Sequence, residues 1–131
     1  RINTLKAAEN QILGKLSQEG VRVEKVEGLK YAYKVLGAKK PLTRMASFQE
    51  GLFYIQDKAS CFAAEAANPK PEATVLDVCA APGAKTTFLA QLMENRGVIY
   101  SIDYSRRRMD VWRSEVSRMG VKIALPIIAD A

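Results

Sequence analysis

The residues best suited to chemistry lie in the run Asp77-Val78-Cys79-Ala80-Ala81-Pro82-Gly83-Ala84-Lys85-Thr86. This run joins an apolar segment at 74–78 to a segment at 85–95 that reads as a helix. Ala80, Ala81, Gly83 and Ala84 are small enough to let a ligand approach the backbone. Free amides at the start of the helix attract an anionic group, a carboxylate or a phosphate. Asp103 closes the next apolar run, 20 residues after Gly83. An acidic side chain at that distance commonly holds the two hydroxyls of a ribose. The pattern therefore suits a nucleoside cofactor that carries an anionic group.

The spacing narrows the choice. A phosphate-binding P-loop needs a glycine five residues before the one that precedes its lysine, and those two places hold Cys79 and Ala84. A dinucleotide-binding GxGxxG is absent too, because Gly83 is the only glycine between Gly51 and Gly97. A tight, glycine-poor loop with a ribose-binding Asp fits a cofactor made of a carboxylate and an adenosine. S-adenosylmethionine is such a cofactor, and a generic strand-to-helix loop is the alternative.

The elements that must position these residues alternate. From residue 74 onward the order reads strand (74–78), helix (85–95), strand (98–102), helix, strand (123–128), the pattern of a parallel sheet in an α/β fold. Ser105 caps the second of these helices, in which Met109, Trp112, Val116 and Met119 share one face, and Trp112 reads as core. Pro126 demotes the last strand towards an edge or a bulge. Upstream, Asp57 caps an alanine-rich helix over 58–67 that Pro69 and Pro71 bar from continuing. Cys61 within it reads as a buried small hydrophobe. Before that, Thr4 is read as the cap of a helix carrying Leu5, Ala8, Ile12 and Leu16, which ends at Gly20. Strands follow at 21–26 and over Tyr31, Tyr33 and Val35. The tyrosines suit packing on a half-buried strand or stacking on bases.

Composition bounds the function. The chain has no histidine, which excludes His-based triads and argues against a zinc site. Two cysteines are no disulfide framework, and a reducing cytoplasm is expected. No apolar run is long enough for a membrane span. The net charge of +6 is uneven: residues 1–46 hold ten Lys and Arg against four Asp and Glu, and residues 47–131 hold ten of each. An anionic partner such as RNA is expected near the N-terminal third, a solvated lysine-rich face being the plain alternative. Arg1 without a preceding methionine and a stop at Ala131 suggest a piece of a longer protein.

Cys-Ala-Ala-Pro-Gly-Ala-Lys-Thr at 79–86 resembles the cofactor loop of the Nol1/Nop2/Sun family, DxCAAPGGKT, with Ala84 where the family has a second glycine. Gln56-Asp57-Lys58-Ala59-Ser60 is similar to the family's QDxAS segment, and Arg1-Ile2-Asn3-Thr4-Leu5-Lys6 to its RxNTLK start. The resemblance spans nearly the whole chain. It implies S-adenosylmethionine-dependent methylation of cytosine carbon 5 in tRNA or rRNA. It also implies that Cys79, Ala80, Ala81, Pro82, Gly83, Ala84 and Lys85 line the methionine and carboxylate end of the cofactor. Asp103 would hold the ribose, Arg108 would stand near the cofactor, and Asp130 would face the adenine amino group. Asp77 would position the loop, and Gln56 and Asp57 would brace the site. The family's catalytic cysteines lie on later strands, so no catalytic residue is expected before Ala131, and Cys79 belongs to the cofactor.

The expected architecture is thus a small basic α+β module at 1–46, an RNA-binding lead-in, followed at 47–131 by the first half of a Rossmann-like methyltransferase domain. S-adenosylmethionine and RNA are the expected ligands, with no metal and no membrane. Two rival functions are a non-enzymatic RNA-binding protein reusing the fold and a nucleotide-dependent enzyme with a degenerate P-loop.

Overall fold

A computed structural model describes residues 1–131. A ten-residue helix, α1 (Glu9–Gln18), leads into an antiparallel ribbon of β1 (Arg22–Lys25) and β2 (Tyr33–Gly37). A 3-10 turn (Leu42–Arg44) and a short α2 (Ala46–Gln49) follow. Then come α3 (Lys58–Ala67), β3 (Thr74–Asp77), α4 (Ala84–Leu92), β4 (Val98–Asp103), α5 (Arg106–Arg118) and β5 (Ala124–Ile128). Strands β3, β4 and β5 lie in that order in one parallel sheet, as expected of the Rossmann-like α/β class.

Helices α4 and α5 cover one face of this sheet. Ile99, Phe88, Met93 and Ala90 are fully buried there, with Met119 and Val121 beside them. On the opposite face Leu76, Tyr100 and Leu125 stand in register on adjacent strands and remain exposed. Pro126 sits opposite Ser101 in β5, which has β4 as its one neighbour, so its missing N–H interrupts no second ladder.

The first turns differ from the sequence expectation. Helix α1 begins at Glu9 with Ala8 as its cap, and the Ala8 N–H donates to Gln11 Oε1 at 3.1 Å. Thr4 is no cap: its hydroxyl accepts from Gln91 Nε2 at 2.8 Å, and Leu5 packs on the main core instead of joining α1. The physical reason is Asn3, fully buried, whose Nδ2 donates to the carbonyls of Gly51 (2.8 Å) and Met119 (2.9 Å). Its Oδ1 accepts the Leu5 N–H at 3.2 Å and bends the chain into a turn. Tyr31 precedes β2 and packs edge-on against Phe88, ring centroids 6.1 Å apart. Helix α4 ends at Leu92 rather than 95, because Glu94 and Asn95 adopt positive φ.

The N-terminal segment is stitched into the larger unit. Backbone N–H groups of Asn3 and Tyr54 donate to Leu52 O and Arg1 O, at 2.8 Å each. Arg1 is 6% exposed, and its guanidinium lies 4.7 Å from the Phe88 ring centroid. Burial pulls its pKa down to about 9, which still leaves it charged at neutral pH. Gly51 is required where the chain crosses α5: its φ is +74°, and a Cβ there would lie 2.0 Å from Arg118 O.

Candidate cofactor site

The loop between β3 and α4 is tied down at both ends by one carboxylate. Asp77, the buried last residue of β3, accepts the Cys79 N–H on Oδ1 (3.3 Å) and the Thr86 hydroxyl on Oδ2 (2.7 Å). Thr86 Oγ1 in turn accepts from Trp112 Nε1 at 3.1 Å and lies 3.3 Å from Ser101 Oγ. Strand, loop, helix and the neighbouring helix therefore share one buried polar cluster, every member partnered. Trp112 is core, as its periodicity suggests, and it also supplies a donor that periodicity does not reveal.

Within the loop, the Ala80 N–H donates to Ile102 O at 3.1 Å, pinning the chain to β4. Ala80 and Ala81 are buried against Met109 and Trp112 of α5, so they offer backbone rather than side chain to a ligand. The Ala81–Pro82 peptide is cis, and Pro82 is exposed. Gly83 caps α4 at φ +116°, a conformation that a side chain resists, although a Cβ would find its nearest neighbour 3.5 Å away. Ala84 is the first helical residue of α4 and has no positive φ, so the family's second glycine is not needed there. The amides of Ala84, Lys85 and Thr86 have no acceptor within the chain, while Thr87 N–H is held by Gly83 O. Three free donors at a helix N-terminus suit a carboxylate. Lys85 is half-buried on this same turn.

Asp103 ends β4 with its side chain 2% exposed. Its Oδ1 accepts the Ser105 N–H at 3.1 Å, and its Oδ2 lies 3.3 Å from an Arg108 nitrogen. The other Arg108 nitrogen donates to Ala81 O at 2.7 Å, so this side chain bridges the loop and the acidic strand end. A carboxylate offers about four lone-pair positions, which leaves acceptor capacity for two hydroxyls. The Ala129 N–H donates to Asp103 O at 3.2 Å and brings Asp130 alongside. Cys79, Asp103, Arg108 and Asp130 thus line one cleft at the carboxyl ends of the three strands, where ligands of open α/β sheets bind. Val78, read from the sequence only as the end of a strand, lines it as well, and so does Tyr104, which sequence reasoning passed over. Their exposure as large apolar residues beside strand ends is the signal that only the fold reveals.

Donor set, acidic strand end and a loop whose Ala80 and Ala81 side chains are buried against α5 together fit S-adenosylmethionine. The two cysteines differ in access: Cys79 is exposed and Cys61 is buried. Cys79 lies in the cleft, and Cys61 is 2% exposed on the buried face of α3, where burial pushes its thiol pKa up. No group of three or more Cys, Asp or Glu is disposed to hold a metal ion, and no helix is long and apolar enough to cross a membrane.

Residues 64–131 match the family model described as 16S rRNA methyltransferase RsmB/F. Over 94% of its length the chain is 37% identical to a probable ribosomal RNA small subunit methyltransferase B of Bacillus subtilis, of which it covers 27%. Over 69% it is 39% identical to a tRNA (cytosine(72)-C(5))-methyltransferase of Pyrococcus horikoshii, of which it covers 23%. A crystal structure of a methyltransferase homolog from Pyrococcus horikoshii superposes with a TM-score of 0.94 at 35% identity, covering 99% of this chain and 43% of that one. The chain thus spans about a quarter of the curated relatives it matches.

Proposed function

Since the chain belongs to the 16S rRNA methyltransferase RsmB/F family, we propose that its cleft binds S-adenosylmethionine for methylation of cytosine carbon 5 in rRNA or tRNA. The observation that carries the reading is the convergence of Asp103, Arg108 and Asp130 on the cleft beside a loop that ends in unpartnered helix amides. The cofactor supplies an electrophilic methyl group carried on a sulfonium.

The chain's residues bind and orient. The amides of Ala84, Lys85 and Thr86 receive the carboxylate, with Lys85 adding positive charge. Asp103 accepts from both ribose hydroxyls, and Asp130 from the adenine amino group. Arg108 fixes the distance between the loop and Asp103 by holding the Ala81 carbonyl. Asp77 keeps the loop's entry and exit in register through Cys79 and Thr86. The basic excess of residues 1–46 supports RNA as the partner of that module.

Photo-cross-linking of methyl-tritiated S-adenosylmethionine followed by peptide mapping tests the assignment. Label is expected on peptides carrying residues 78–85 or 103–108. Label confined to other peptides contradicts it. The isolated chain mixed with cytosine-containing RNA and the cofactor is expected to form no 5-methylcytosine, since Cys61 is buried and Cys79 is assigned to the cofactor loop.

A further inference from the structure

A cavity between the β1–β2 ribbon and the start of α3 plays no part in the cofactor site. It encloses about 330 Å³, within the range of about 300–1,000 Å³ usual for small-ligand sites. Buried Leu29, Ala32 and Cys61 give it an apolar lining, and Arg1, Lys34, Gln56 and Lys58 bring polar groups to it. No acidic side chain lines it.

Three further observations single it out. Gln56 Nε2 is the one buried side-chain nitrogen or oxygen in the chain without a hydrogen-bond partner. Its amide orientation is set, because Oε1 accepts from Arg1 Nε at 2.7 Å. A buried donor left without an acceptor costs free energy and is rare in native folds. Lys58 is the first residue of α3, where a cation opposes the helix dipole, so helix energetics does not account for it. Arg1 connects the cavity to the cofactor loop: it donates to Ala84 O (3.3 Å) and Thr87 Oγ1 (2.7 Å) on the first turn of α4.

An acceptor-bearing, partly apolar, anionic ligand matches these walls, and a nucleotide has all three properties. A base presented to a methyl donor must leave its stack, and its neighbour then loses a stacking partner. Unstacked RNA bases are held by apolar and aromatic surfaces with donors at their edges. Tyr33, half-buried in the cavity wall, supplies a ring.

We infer that this cavity holds one nucleotide of the substrate RNA, adjacent to the one presented to the cofactor. Its base lies against Leu29, Ala32 and Tyr33, its edge acceptors take the Gln56 amide, and its phosphate lies between Lys34 and Lys58. The inference rests on the RNA-methylation reading above.

The test uses single-stranded cytosine-containing oligoribonucleotides, each with one 4-thiouridine, cross-linked to the chain and mapped by mass spectrometry. Binding is measured in parallel against salt for wild type and for Lys34→Glu/Lys58→Glu, with a thermal melt confirming the variant's fold. Expected are cross-links on peptides carrying residues 33–34 or 56–61 and an affinity loss of at least tenfold in the variant. The slope of log affinity against log salt should flatten by about 0.7, the value for loss of one phosphate contact of a single strand. Cross-links confined to other peptides, or affinity within twofold of wild type, overturn the inference. A wild-type chain that binds the cofactor but no RNA overturns it while leaving the cofactor site standing. RNA held in the cavity by a chain that does not bind the cofactor supports the cavity and refutes the methylation reading.

Discussion

Replacing Thr86 by valine isolates what the buried polar cluster contributes. The side chains are nearly equal in size and Thr86 is fully buried, so no sizeable cavity opens. What disappears is one hydroxyl that donates to Asp77 Oδ2 at 2.7 Å and accepts from Trp112 Nε1 at 3.1 Å. A buried indole N–H without an acceptor costs about 1–3 kcal/mol. A buried carboxylate that loses a charge-assisted donor costs about 1.5–3 kcal/mol more. Thr86→Val should therefore lower stability by roughly 3–5 kcal/mol, the two losses being coupled through one atom. Thr86→Ser keeps the hydroxyl and removes a methyl group, a loss of about 1 kcal/mol. Urea unfolding followed by tryptophan fluorescence reads this directly, because Trp112 is the only tryptophan of the chain. A valine variant within about 1 kcal/mol of wild type, or a serine variant as damaged as the valine one, would refute the reasoning.

Gly51 and Gly83, two of the glycines at positive φ, should separate steric from conformational cost. Gly51→Ala places a Cβ 2.0 Å from Arg118 O and should abolish the folded signal in circular dichroism. Gly83→Ala meets nothing nearer than 3.5 Å and should cost about 1–3 kcal/mol of backbone strain in chemical unfolding. Glu19 gives a pH signature. Burial raises its pKa, yet the Ser47 hydroxyl and amide outweigh this and hold it below the usual glutamate value. A depressed folded pKa stabilises above the unfolded value and is lost as pH falls through the folded one. Melting temperature should thus decline on acidification below about pH 4.5, and Ser47→Ala should flatten that decline. An unchanged pH profile in the alanine variant would count against the Ser47–Glu19 contact.

Much of the fold was legible because its signals are local. Asp57 accepts from the Ser60 N–H at 2.9 Å, and Ser105 from the Arg108 N–H at 3.3 Å, as their cap positions suggested. The strand–helix alternation after residue 74 reads directly as the parallel sheet. The start of α1 was not legible, because Asn3 bonds carbonyls 48 and 116 residues away, and no local rule anticipates such partners. The residues proposed for the cofactor were named from motif, spacing and resemblance. The bridge from Arg108 to Ala81 O, the burial of the Ala80 and Ala81 side chains, and the place of Tyr104 in the cleft depend on how α5 packs against the loop. The same holds for Arg1, whose four side-chain partners lie between 55 and 90 residues along the chain.

Calorimetric titration of this chain with S-adenosylmethionine, beside Asp103→Asn, tests the cofactor assignment most directly. The asparagine keeps an oxygen for the Ser105 N–H and removes the charge offered to the ribose. Saturable binding is expected in the wild type, weakened at least about tenfold in the variant, a loss of about 1.4 kcal/mol or more. Equal affinity in the two, or no binding by a folded wild-type chain, would contradict the assignment of this cleft.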